Sequence, residues 1–360
     1  MRRWSHDIDF ALLLLVGILL TFGLVVLCSA SATSIGAAQG DAYYYVKKQL
    51  AWVLAGLVVM VGMCSFDYNI LGRYYRVVYW GTLAVLAAVL VIGRNVAGGQ
   101  RWFMIGPARI QPAEFAKIGV VISLAKHLER KKHLDQLNDL VSAFFHVGIP
   151  MLLILKQPDF GTAMVFAGVL LGMLFMAGAS HKHLVWIAVS GLGVFSVGAW
   201  LSMRGLVPIL APHQVGRILV FLDPYADRTG AGWNVIQSMI AIGSGGLFGK
   251  GLFQGTQAQL DFLPAHHTDF IFSVVGEELG FLGSFGLLTV YVLLLWRGLR
   301  IMVLAKDEFG ANLAAGVVSM FLFHLVINIG MTLGVMPVTG IPLPFISYGG
   351  SSLLTNMAGI

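Results

Sequence analysis

Charge is what this sequence lacks most: Asp, Glu, Lys and Arg make up 11% of its 360 residues, whereas apolar residues make up 58%. Soluble globular chains carry about 25% charged and roughly 45–50% apolar residues. A water-soluble fold of this length cannot be surfaced with so few charges, and a disordered chain would not be so apolar. Cysteine is nearly absent too. Cys28 and Cys64 both lie inside apolar runs, which excludes a multi-bridge extracellular framework. The 23 Lys and Arg against 17 Asp and Glu leave +6, but the basic residues are scattered between apolar runs rather than clustered among aromatics on a polar domain. They read as membrane-topology and site charges, with no nucleic acid as partner. No HExxH, Walker A or GxSxG sequence occurs, which argues against transport driven by ATP hydrolysis within this chain.

What the sequence has is a succession of apolar runs. A bilayer core takes about 20 apolar residues per helix. Stretches free of Asp, Glu, Lys and Arg occupy residues 10–40, 49–66, 77–93, 140–155, 160–181, 183–203 and 279–296, then everything after Glu308. The last, 309–360, is long enough to cross twice, with the Pro/Gly-rich centre 337–350 as the connecting loop. Residues 112–128 are helix-compatible but carry Glu114 and Lys117, so this span is expected to turn its charges towards protein. The pattern predicts an all-α, polytopic membrane protein of about ten transmembrane helices. The helix from about residue 269 to 296 is long because its apolar pattern begins before Glu277. Residues 1–360 form a single domain, with 204–268 as a long extracytoplasmic loop and without internal repeats.

Arg2, Arg3, an apolar run and the small triplet Ala30, Ser31, Ala32 resemble a signal peptide, but the run exceeds the roughly 7–15 residues of such a segment. It is read as an uncleaved first helix. Arg73 and Arg76, then Lys126, Arg130, Lys131 and Lys132, then Lys182, then Arg297, Arg300 and Lys306 fall on alternate loops, as do Arg2 and Arg3. Those loops are predicted to be cytoplasmic, with both termini on that side. The opposite side still holds Arg94, Arg101, Arg109, Lys156, Arg204, Arg217, Arg228 and Lys250. Surface solubility and a site for an anionic substrate explain these cations equally well.

Residues 263–283 are the most informative. Pro264 ends a loop, Thr268 is a plausible N-cap, and Asp269 then falls in the first turn at a helix mouth, with Ser273, Gly276 and Gly280 near its face. Small residues beneath an acid leave room for a ligand, although the helix dipole and close helix packing account for the same features. Glu277 and Glu278, two turns deeper, need a partner from another helix and read as a buried anchor. Glu114 and Lys117, spaced i, i+3, can pair directly; the reading leans towards a cavity role for them over a fold-specifying pair. Asp159, in the turn 156–162, can cap the helix that follows. Gly98, Gly99, Gln100, Arg101 and Trp102 form a glycine-led loop that could set a guanidinium and a ring against a sugar phosphate. Ser347 and Ser351 flank a turn that offers hydroxyls and N–H groups to an anion, or simply enters a helix. His266 and His267 diverge in direction, and His181 and His183 lie on the cytoplasmic side, so the histidines suggest no metal motif.

Gly99-Gln100-Arg101-Trp102, Gln111-Pro112-Ala113-Glu114-Phe115-Ala116-Lys117, Gln157-Pro158-Asp159-Phe160-Gly161-Thr162 and Phe221-Leu222-Asp223-Pro224 resemble the SEDS family (shape, elongation, division and sporulation). The resemblance continues through Gln237-Ser238, Gly249-Lys250-Gly251, Gly255-Thr256-Gln257, Thr268-Asp269-Phe270 and Pro342-Leu343-Pro344-Phe345 to Ser347-Tyr348-Gly349-Gly350. Lys250 with Gly255-Thr256-Gln257, and Asn328-Ile329-Gly330-Met331, are most similar to the family's elongation members. The resemblance implies a ten-helix glycosyltransferase that polymerises Lipid II into glycan strands at the outer face of the bacterial cytoplasmic membrane. Asp269 matches the family's essential aspartate. A class B penicillin-binding protein and MreC and MreD of the rod complex are the implied partners. Three departures stand out: Ala265 where the family usually has Glu, Ala113 where it often has Ser, and a chain that stops at Ile360, so that its last helix is expected to be incomplete.

On that reading a carboxylate accepts the proton of an attacking sugar hydroxyl while a polyprenyl pyrophosphate leaves with inversion. Asp269 is the expected base. Arg101, Lys117, Arg217 and Lys250 are the cations for the leaving group, with Mg²⁺ or Mn²⁺ as an inorganic supplement and no organic cofactor. Trp102, Glu114, Asp159, Ser347 and Ser351 complete the expected substrate contacts. A Lipid II flippase and a non-catalytic scaffold are the rivals. Location separates them, because a transporter wants its ionisable groups near the bilayer midplane.

Overall fold

Apolar runs in a bilayer fold as helices because their N–H and C=O groups have no water to bond and must be satisfied within the segment. The computed structural model describes residues 8–31, 41, 43–96, 99–106, 108–131, 137–206, 212–227 and 230–360; Arg2, Arg3, Ala32, Gly98, Lys132 and Arg228 lie outside the described residues. The order begins α1 (Phe10–Ser31), α2 (Tyr44–Ser65), short α3 (Tyr68–Arg73), α4 (Tyr75–Ile92), β1 (Arg94–Val96), β2 (Gly99–Ile105), β3 (Ala108–Ile110), α5 (Pro112–Glu129), α6 (Leu137–Lys156), α7 (Phe160–Met176) and α8 (His181–Met203). It continues α9 (Pro212–Leu222), a 3-10 turn (Pro224–Asp227), α10 (Ala231–Ser244), α11 (Thr256–Gln259), α12 (Ile271–Val303), α13 (Glu308–Thr332) and α14 (Gly350–Gly359).

Six of these helices, α1, α2, α4, α8, α12 and α13, are long and apolar enough to cross a membrane. α6 and α7 are apolar, α5 is interrupted by the buried charges Glu114 and Lys117, and α14 has ten residues. Together these are the ten expected spans. α13 runs through the middle, packed against α5, α7 and α12. Its buried positions include Asn312, His324, Asn328 and Thr332 as well as apolar residues. At one end of the bundle Asp9 meets Arg297 at 2.6 Å, and the Tyr68 hydroxyl donates to Asp307 at 2.7 Å. Asp307 also caps α13 by accepting from the Gly310 N–H at 2.6 Å. The candidate site lies at the other end.

Three parts depart from the sequence reading. Arg94–Val96, Gly99–Ile105 and Ala108–Ile110 form a three-stranded antiparallel sheet in the order β1-β2-β3, with Gly106 at φ 58 after β2. The described residues within 204–268 form α9, a 3-10 turn, α10 and α11 rather than a plain loop. α10 lies along the start of α12, where the Ser238 and Ser273 hydroxyls are 2.6 Å apart and Ile242 packs on Gly276.

The expected single long helix is broken at Gly280 (φ 65, ψ −159), a conformation essentially restricted to glycine. The turn after α10 heals the break. Phe281 and Leu282 N–H groups donate to the carbonyls of Gly246 and Leu247 at 2.8 and 3.1 Å, and Lys250 and Gly251 N–H groups donate to those of Glu277 and Glu278 at 3.0 and 2.9 Å. Glu278 meets the Ser29 hydroxyl at 2.7 Å near the end of α1, while Arg297 meets Asp9 before its start. The part of α12 that parallels α1 thus begins at Gly280. Glu277 and Glu278 are level with the end of α1, not two turns inside the bundle.

Candidate functional site

Residues 264–270 make consecutive turns rather than a helix entry. Ala265 takes φ 56, and its carbonyl accepts from the N–H groups of Thr268 (3.1 Å) and Phe270 (3.3 Å) and from the Thr268 hydroxyl (3.2 Å). Thr268 therefore does not cap α12. The helix begins at Ile271 behind Phe270, with no side-chain cap, and Asp269 precedes it by two residues. Three successive carbonyls of this turn are held from elsewhere. Those of His267, Thr268 and Asp269 accept from the Tyr348 N–H (3.0 Å), the Ser347 hydroxyl (2.6 Å) and the Asn328 amide (2.9 Å). The same Asn328 amide donates to the Ile341 carbonyl at 2.7 Å. The backbone under Asp269 is fixed, which leaves its carboxylate as the variable part.

Arg217 on α9, Arg101 on β2 and Asp159 ahead of α7 are the charged neighbours of that carboxylate. Burial pushes Asp269 up to about 6, against the opposing pull of the Thr268 hydrogen bond, Arg217 and Arg101; Asp159 pushes in the same direction as burial. Burial and the nearby Arg101 depress Arg217, while Asp269 and Asp159 oppose that shift. Asp159 accepts from the Thr162 N–H (3.1 Å), so it caps α7 as expected, and from the Gln111 amide (2.9 Å). The Gln111 N–H donates to Ser351 Oγ at 3.0 Å. Arg101 folds over Gly99, where a β-carbon would stand 2.4 Å from its Nε. Beside Arg217 lies a shallow apolar cleft walled by Phe160, Phe195, Ile218, Pro337 and Val338, with Gln214 also at its edge.

Several expected site residues are engaged in other ways. Trp102 follows Arg101 on β2 and pairs with Arg94, at a point where the register with β1 slips by one residue, so that Arg101 is the extra residue between the paired positions 100 and 102. Ser347 donates to Thr268 and accepts from the Leu343 N–H at 2.8 Å, so its hydroxyl is a structural tie. Lys250 pairs with Glu277 at 2.6 Å and with the Thr256 hydroxyl at 2.9 Å, supplying the partner that the buried acid needed. Glu277 also accepts from the Thr256 hydroxyl (2.9 Å) and the Gln257 N–H (3.1 Å). The small face of Ser273 and Gly276 is filled by α10 rather than open to a ligand.

Glu114 and Lys117 do pair, with both carboxylate oxygens 2.9 Å from Nζ, and His324 Nε2 stands 2.7 Å from the same ammonium. All three donors of Lys117 are thereby used inside the bundle, and no leaving-group contact is open to it in this arrangement. His324 and Thr339-Gly340 were not singled out from the sequence, and Gln111 and Asn328 entered only as resemblance. The available signal was a single histidine with an asparagine four residues on, in the run after Glu308 that holds no Asp, Glu, Lys or Arg.

The fold and site define a polytopic helical membrane protein with a raised carboxylate and two arginines at one end of the bundle. The sequence model of the FtsW/RodA/SpoVE family, described as cell cycle proteins, matches residues 10–360, and the chain belongs to that family. It is 38% identical over 352 residues to peptidoglycan glycosyltransferase MrdB of Escherichia coli (strain K12), covering 98% of this chain and 91% of that protein. It is 39% identical over 356 residues to stage V sporulation protein E of Bacillus subtilis (strain 168), covering 98% and 94%. Among solved structures, a chain from a peptidoglycan synthase complex that coordinates polymerization and crosslinking superposes with a TM-score of 0.78 at 34% identity, covering 98% of this chain and 95% of the other.

Proposed function

We propose that this chain is a peptidoglycan glycosyltransferase that polymerises Lipid II into glycan strands, with Asp269 as general base. The observation that carries this reading is a buried carboxylate pushed up to about 6 with Arg101 and Arg217 as its cationic neighbours, Arg217 also lining an apolar cleft. A base is most effective when its pKa lies near the working pH, where enough of it is deprotonated and it still accepts a proton well. The acceptor sugar hydroxyl attacks the anomeric carbon of the donor, and Asp269 takes the hydroxyl proton. The bond from that carbon to the polyprenyl pyrophosphate oxygen breaks with its electron pair, and the anomeric centre inverts. Arg217 and Arg101 face the growing negative charge of the leaving group.

The site end faces outward from the bacterial cytoplasmic membrane, with both termini cytoplasmic, as the distribution of Lys and Arg on alternate loops supports. A class B penicillin-binding protein is the partner, on the likeness to a chain of a complex that joins polymerization to crosslinking; MreC and MreD are proposed on the resemblance alone. Identity to the MrdB and sporulation relatives is 38% and 39%, so the elongation role rests on Lys250 with Gly255-Thr256-Gln257 and on Asn328-Ile329-Gly330-Met331. No group of three or more His, Cys, Asp or Glu that could hold a metal stands among the described residues. The described residues offer no metal site built from protein groups alone. Mg²⁺ or Mn²⁺ would be held chiefly by pyrophosphate oxygens, and loss of product in EDTA with recovery on adding either ion tests this.

The deciding experiment is polymerisation of purified Lipid II by the wild type and Asp269→Asn, each with a crosslinking-deficient penicillin-binding protein, read as glycan length on a gel. Polymer from the wild type alone is expected. Polymer from Asp269→Asn would overturn the assignment of the base.

A further inference from the structure

We propose that His324 is a positioning residue: it locks Lys117 in place and, together with Asn328 one turn along α13, holds α5 in register with the turn that carries Asp269. His324 is fully buried, with Nδ1 2.7 Å from the Met320 carbonyl and Nε2 2.7 Å from Lys117 Nζ. A carbonyl only accepts, so Nδ1 carries the proton, and the bare Nε2 of the neutral ring accepts from the ammonium, which only donates. The remaining two Lys117 donors go to the two oxygens of Glu114. Three donors meet three acceptors, and the cation is fixed in direction rather than merely neutralised.

Residues 324 and 328 lie on one face of α13 at i, i+4. Asn328, also fully buried, bonds the carbonyls of Asp269 and Ile341. α5 reaches the site through Gln111, just before its first residue, which bonds Asp159 and Ser351. One strip of α13 thus governs the distance between the Asp159 side and the Asp269 side. An apolar side chain at 324 leaves a buried N–H without an acceptor and frees Lys117 to swing about Glu114, so α5 and α13 lose their common reference.

The kinetic test rests on the glycosyltransferase reading. Turnover of Lipid II with the partner present is compared for wild type, His324→Gln, His324→Leu, Lys117→Met and the double variant Lys117→Met/His324→Leu. Glutamine restores an acceptor towards Lys117, so His324→Gln is expected to stay within about threefold of wild type while His324→Leu falls by about tenfold or more, the scale of a small misplacement at a reacting centre. The double variant is expected to be no slower than Lys117→Met, because His324 acts through the lysine. Equal losses in the Gln and Leu variants, or additive losses in the double variant, overturn the proposal.

A second measurement does not depend on activity. In protein carrying ¹⁵N-histidine, the signals lost in His324→Gln are expected to report a neutral ring protonated at Nδ1, and Lys117→Met is expected to shift the Nε2 signal. A ring protonated at Nε2, or an Nε2 signal unmoved by Lys117→Met, overturns the proposal. Absence of polymer from the wild type would remove the functional reading, while the histidine spectrum would still decide whether His324 holds Lys117.

Discussion

The Asp269 carboxylate lies against Gly340: a β-carbon there would stand 3.3 Å from Oδ2, and Gly340 takes φ 74. Glycine is needed twice, for the backbone conformation and for the space beside the acid. Gly340→Ala is expected to cost about 1–2 kcal/mol of stability from the left-handed backbone. Because Arg217 bonds the neighbouring Thr339 carbonyl at 3.5 Å, the same change is expected to lower polymerisation by about tenfold. Thermal melting and glycan yield, measured on the same preparation, separate the two effects; a melt unchanged from wild type would contradict the strain argument.

Asp269 must be deprotonated to act as a base, so kcat/KM is expected to fall as pH drops through about 6. Arg217 and Arg101 lower this carboxyl and Asp159 raises it. Arg217→Met should therefore move the acid limb to higher pH, and Asp159→Asn should move it to lower pH. Initial rates from pH 5 to 8 read both directions. Shifts of the same sign in the two variants would contradict the electrostatic arrangement.

Lys250 holds the fully buried Glu277. Lys250→Met is expected to destabilise the protein by about 2–3 kcal/mol, less than the roughly 3–5 kcal/mol of a fully buried broken pair, because the lysine side chain is 27% exposed. Glu277→Gln added to that variant should recover part of the loss, since the amide needs no countercharge. Melting in detergent measures both.

The spans were legible because hydropathy reports directly on what a bilayer accepts, and Asp269 was legible because an acid at the edge of an apolar run is conspicuous. The break at Gly280 was not, since a glycine inside a helical pattern reads as tolerated packing until the segment docked against it is known. The helices within 204–268 are hidden for the same reason: α10 is only 14 residues long, and its Ser238 bonds Ser273 and Thr332, 35 and 94 residues later. Thr268 was expected at a cap by local rule, yet the turn around Ala265 took its hydroxyl. Lys117 was expected to be a cation for substrate because its third acceptor, His324, lies 207 residues away in the chain.

The junction at Gly280 also constrains the order of assembly. The turn at 245–251 supplies acceptors to Phe281 and Leu282 and donors to the carbonyls of Glu277 and Glu278, yet it leaves the ribosome before the helix it completes. Until α12 arrives, its polar backbone has no partner in lipid. A segment made earlier is therefore seated only with one made later, and the turn at 264–270, which leads into α12, takes its final form with that seating.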